Sequence, residues 1–122
     1  MAVQPGPAGG NGPCAQRDLF TRVFQGRRFP ALLSDHSDNE LIALIRESVP
    51  GASDDECREA VIRVRGLCDA VYEVCEQFHD GTFGSGPEAP ANAVLALSGK
   101  QPGFSGTEYA EAFAAGLLWT AF

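Results

Sequence analysis

Cysteine and histidine are the residue types here best suited to nucleophilic, redox or metal chemistry, and the chain holds 4 of one and 2 of the other. Three of the cysteines, Cys57, Cys68 and Cys75, fall on one uninterrupted helical pattern, with His79 one turn past Cys75. Together with Val61, Val64, Val71 and Phe78 they keep the alternating four-then-three spacing of an a/d seam. At the helical rise, Cys57 and Cys68 lie about 16 Å apart along the axis, and Cys68 and Cys75 about 10 Å. A zinc–sulfur bond is about 2.3 Å long, so one ion cannot take them all. Cys75 and His79 are the metal candidates, since they stand at i and i+4, but they would need further ligands from elsewhere. The expectation is that the cysteines act as small apolar fillers of a packed seam.

His36 sits in Asp35-His36-Ser37-Asp38-Asn39-Glu40. With Asp35 or Asp38 it would make an acid/base pair or half a metal site. The same residue types are what the approach to a helix wants, and that is the reading adopted. No Gly-x-Ser-x-Gly, Walker loop, His-Glu-x-x-His or dinucleotide fingerprint occurs. No catalytic residue is assigned, and no cofactor is implied. Arg27 and Arg28 form the one basic cluster; they would clamp a partner's carboxylate or a phosphate, or complement a helix C-terminus. The chain stops on Leu117-Leu118-Trp119-Thr120-Ala121-Phe122. Leu118, Trp119 and Phe122 are the candidate partner anchors on this apolar end. A C-terminal Thr-Ala-Phe also has the form of a peptide held by a PDZ-type domain, and the competing reading docks it in its own core.

Five helical segments are expected to position these residues. The first runs from Cys14 to Gly26, with Leu19, Phe20, Val23 and Phe24 at helical spacing. Arg27 to Pro30 is an irregular link. The second helix follows Ser37, whose spacing to Glu40 is that of a capping box, and ends at Val49-Pro50-Gly51. The third, residues 53–79, opens on a second box, Ser53 and Glu56, and stops at Asp80-Gly81. At about 39 Å it is the long central helix, and Gly66 within it would mark a close crossing. A Gly/Pro loop over residues 80–90 leads to a short fourth helix from Pro90 to Leu97, with Ser98-Gly99 as its stop. The last helix follows a third box, Ser105 and Glu108, and is apolar nearly all round, as central or partner-covered helices are. No segment alternates at period two. The fold class is therefore all-α: a compact single-domain bundle of about five helices over residues 14–122. The Gly/Pro-rich residues 1–13 read as a flexible tail.

Composition narrows the function. Hydrophobic residues make up 44% of 122, enough for a core. Nine Lys and Arg against 16 Asp and Glu leave a net charge of −7. That argues against general nucleic-acid binding and against an anionic membrane surface. The start lacks a basic and an apolar region of signal type, and no apolar stretch is of spanning length, so a soluble, cytoplasmic protein with free thiols is expected.

The run Leu33-Ser34-Asp35-His36-Ser37 through Leu44-Ile45 resembles the approach to the first helix of the nuclease-colicin immunity proteins, which are also small, acidic and all-helical. The resemblance covers about a tenth of the chain. The tyrosine pair of that family's recognition helix has no counterpart, so no residue role is carried over. The class expected is a non-catalytic helical interaction protein: an inhibitor, an immunity-type protein, an adaptor or an accessory subunit. It would bind a protein partner, a second copy of the chain included. The alternative is a small metal- or redox-linked ligand-binding bundle using Cys75 and His79.

Overall fold

Three serine–glutamate pairs set three of the helix starts. Ser37, Ser53 and Ser105 each accept the backbone N–H of the glutamate three residues on, at 3.2, 3.1 and 3.1 Å. Glu40, Glu56 and Glu108 each accept the serine's own N–H at 2.8 Å. Each box satisfies two donors that a helix N-terminus would leave without partners.

The computed structural model describes residues 11–25 and 31–120. It is all-α, and the described residues hold six helices and no strand. They are α1 Asn11–Phe24, α2 Ala31–Asp35, α3 Asp38–Ser48, α4 Asp54–His79, α5 Ala89–Lys100 and α6 Gly106–Thr120. One helix more is present than the five expected, because α2 forms ahead of the Ser37 box. It buries Leu33 and closes on a 3.0 Å contact between His36 Nδ1 and the Leu32 carbonyl. Helix α1 begins three residues before Cys14, inside the stretch read as tail; the rest of that stretch lies outside the described residues, as do Gly26 and the Arg27–Pro30 link.

Two compact units divide the described residues, with the division between Val64 and Arg65 inside α4. In the first, α1 packs on α2 and α3. Leu19, Phe20 and Val23 of α1 are fully buried, as are Leu41 and Ile45 of α3 and Cys57 and Val64 of α4. The Phe20 and Phe24 rings lie 4.9 Å apart. Arg22 ties α1 to α3: it pairs with Asp18 at 2.9 Å, and its guanidinium donates to the Leu44 carbonyl at 3.2 Å and to Ser48 Oγ at 2.6 Å. In the second unit, α5 packs on α6. The buried set is Leu67, Val71, Val74 and Cys75 of α4, Ala93 and Leu97 of α5, and Ala112 of α6.

Helix α4 ends as its Asp80-Gly81 sequence requires. Gly81 takes φ +82°, Gly81 N–H donates to Phe78 O, and Thr82 N–H donates to Gln77 O at 2.9 Å, the paired bonds of a Schellman turn. Helix α5 does not stop at Ser98-Gly99. Ser98 Oγ donates back to the Leu95 carbonyl at 2.7 Å. Lys100 pairs with Glu73 of α4 at 3.1 Å. Gln101 N–H still reaches Leu97 O at 3.1 Å. No helix among the described residues is long and apolar enough to cross a membrane.

Candidate functional site

Helix α6 reaches α4 through a glycine. A Cβ on Gly116 would collide with Val71 Cγ1 and would stand 2.7 Å from Cys75 Sγ. With nothing wider than hydrogen at that position, the α6 backbone sits directly on the Val71–Cys75 face of α4. Phe113, three residues earlier, packs edge-on against Phe78 at 5.2 Å between ring centroids.

The turn after Gly116 is then fixed by polar contacts with the flank of α4. Thr120 Oγ1 donates to the Gly116 carbonyl at 2.8 Å, and His79 Nε2 lies 2.9 Å from the same hydroxyl. Trp119 lies near enough to the Tyr72 hydroxyl to lower its pKa. Of the two residues flanking the Cys68–Cys75 seam on this side, His79 thus meets the last turn of α6 at Thr120, and Tyr72 stands near Trp119. Burial raises the Tyr72 hydroxyl pKa; the charges of Cys68 and Asp69 raise it too, while Trp119 lowers it.

What this leaves on the surface is apolar. Leu118, opposite Gly116 on the α6 wheel, is 68% exposed, and Trp119 is 49% exposed. On α5, Leu95 stands 71% exposed, opposite the inward-facing Ala93 and Leu97. Phe122 lies outside the described residues, and so do Arg27 and Arg28. The surface pair therefore consists of Leu118 and Trp119, with the Tyr72 hydroxyl near the latter. Tyr72 was not singled out from sequence. Its signal was present: it stands one turn from Cys68 and beside the seam, where a tyrosine packs its ring and keeps its hydroxyl at the edge.

Cys75 and His79 both meet α6, Cys75 at the Phe113 carbonyl and His79 at the Thr120 hydroxyl. Cys75 is fully buried, its thiol 3.9 Å from the Phe113 carbonyl. His79 is exposed. Burial pushes the Cys75 thiol up to about 11, against the Thr120 side chain, which lowers it. Cys68 is likewise pushed up to about 11, by burial first and by the Asp69 charge second. Thiols so held are protonated at neutral pH and poor nucleophiles. No group of three or more His, Cys, Asp or Glu side chains among the described residues is placed to hold a metal ion. His36 sits at the close of α2, its ring on the Leu32 carbonyl.

No family model matches the chain, and neither the curated proteins nor the solved structures give a match.

Proposed function

We propose that this is a non-catalytic helical interaction protein, an inhibitor, immunity-type protein, adaptor or accessory subunit, that works by binding a protein partner through the end of α6. The observation that carries the reading is the adjacent exposure of Leu118 and Trp119 on a helix whose opposite side is locked to α4. Exposed apolar side chains of this size, side by side, are what partner surfaces present. Tryptophan is the residue type that most often dominates the energy of such a surface. Buried protonated thiols suit a reducing compartment such as the cytoplasm.

The test is an affinity capture from the native host with two baits, the full chain and a Leu118→Ser/Trp119→Ser variant of unchanged helicity. One protein retained by the first and lost by the second is expected. Retention of the same protein by both baits would overturn the assignment to α6. A dimer seen by sedimentation and abolished by the variant would make a second copy the partner.

A further inference from the structure

Residues 65–122 hold two of the nine basic residues and seven of the sixteen acidic ones, a net −5 of the chain's −7. Part of that charge lies on the flank of α4 that carries the half-buried Tyr72. On α4, Asp69 precedes Tyr72 by one turn and Glu76 follows it by one turn, and both are exposed. The Asp69 charge is felt at the Tyr72 hydroxyl. Glu73, between them, is already matched by Lys100. Arg65 is the only Lys or Arg in residues 65–79 and stands at the far end of this flank. The last turn of α6 thus carries a half-exposed indole and an outward leucine, and the Tyr72 flank of α4 carries two exposed carboxylates.

Resting on the protein-binding reading above, we propose that this surface takes a basic amphipathic helix of a protein partner, with an arginine or lysine seated over the Trp119–Tyr72 pair beside Asp69 and Glu76. An aromatic face attracts a cation through its quadrupole, and the neighbouring carboxylates add to that attraction. Leu118 meets the apolar side of the incoming helix, the way amphipathic helices dock. Charge decides against the other occupants. A second copy would bring another acidic face to this one, and a nucleic acid would bring phosphates; both are repelled. A basic helix is drawn in, with the effect concentrated in the association rate.

The probe is a synthetic amphipathic helical peptide with leucines on one face and arginines on the other. Its partner probe carries glutamine for every arginine. Each is titrated into the full chain while the emission of Trp119, the only tryptophan, is followed. The arginine peptide should shift that emission and bind at least about tenfold more tightly than the glutamine peptide. Asp69→Asn/Glu76→Gln should cost about tenfold in affinity. Glu47→Gln/Asp55→Asn, which removes as much charge elsewhere, should leave it within about twofold. Equal losses in both double variants would reduce the effect to bulk attraction and overturn the proposal. Equal binding of the two peptides would overturn the basic partner while leaving a protein-binding surface. No response to the arginine peptide up to about 1 mM would also overturn it. The capture experiment above stands apart, because it reads dependence on Leu118 and Trp119 whatever the partner's charge.

Discussion

At the scale of single residues, burial has turned reactive types into packing. Cys57, Cys68 and Cys75 are buried, and Cys14 is exposed. In the native protein a thiol reagent should therefore modify Cys14 rapidly and the other three only at the rate of opening, measured as one fast equivalent that becomes four in denaturant. Cys68 and Cys75 ionise at about 11 when folded and near 9 otherwise. An unfolded chain then loses these protons first, so stability is full below pH 9 and falls as the pH rises toward 11. A melting series across that range should show the decline, and Cys68→Ala/Cys75→Ala should flatten it. The seam was legible because its spacing repeats without a break over residues 57–78. Gly116 was not, since a close approach depends on which residues of another helix lie opposite. Gly116→Ala gains about 1 kcal/mol in helix propensity but must move Val71 and Cys75. Overpacking costs about 1–3 kcal/mol, so a net loss of thermal stability is expected, together with greater Trp119 mobility in fluorescence anisotropy.

At the scale of helices, local chemistry wrote most of the boundaries. The three serine–glutamate boxes were readable because a cap needs only its own four residues. Ser105→Ala should destabilise by about 1 kcal/mol in denaturant titration, the cost of one lost cap. At Ser37 the effect is also one of pH. The Ser37 backbone N–H holds the Glu40 carboxylate below its usual value, so Glu40 adds stability at neutral pH that is lost as the pH falls through its folded pKa. Glu40→Gln should soften the acid limb of the stability profile. Two boundaries followed tertiary contacts instead. Helix α2 is five residues long, too short to display a period, and stands by burying Leu33. Helix α5 runs past Ser98-Gly99 to Lys100, whose partner Glu73 lies 27 residues earlier in the chain. Sequence near a helix end does not report such a partner.

At the scale of the molecule, the question is what the last helix does with more apolar surface than one bundle face can hide. Its composition was legible: tyrosine, phenylalanine, leucine and tryptophan distributed around the whole wheel. Which side faces outward was not, because that is decided by Gly116 against α4 and by the contacts of Thr120 and Trp119 with His79 and Tyr72. Held on α6 beside this flank, the indole is half exposed, with the Tyr72 hydroxyl near it. Trp119 fluorescence reads this directly. In dilute protein a neutral quencher should reach the ring with intermediate efficiency, above that of a buried indole and below that of the denatured chain. Tyr72→Phe removes the hydroxyl through which a hydrogen bond to the indole would run. Quenching should then rise toward the denatured value while helicity is retained, since the tyrosine ring stays in place and at most one hydrogen bond is lost. Efficiency unchanged in Tyr72→Phe would mean that packing, not this bond, sets the indole's exposure. The anchor would then be fixed by the close α4–α6 approach at Gly116 alone.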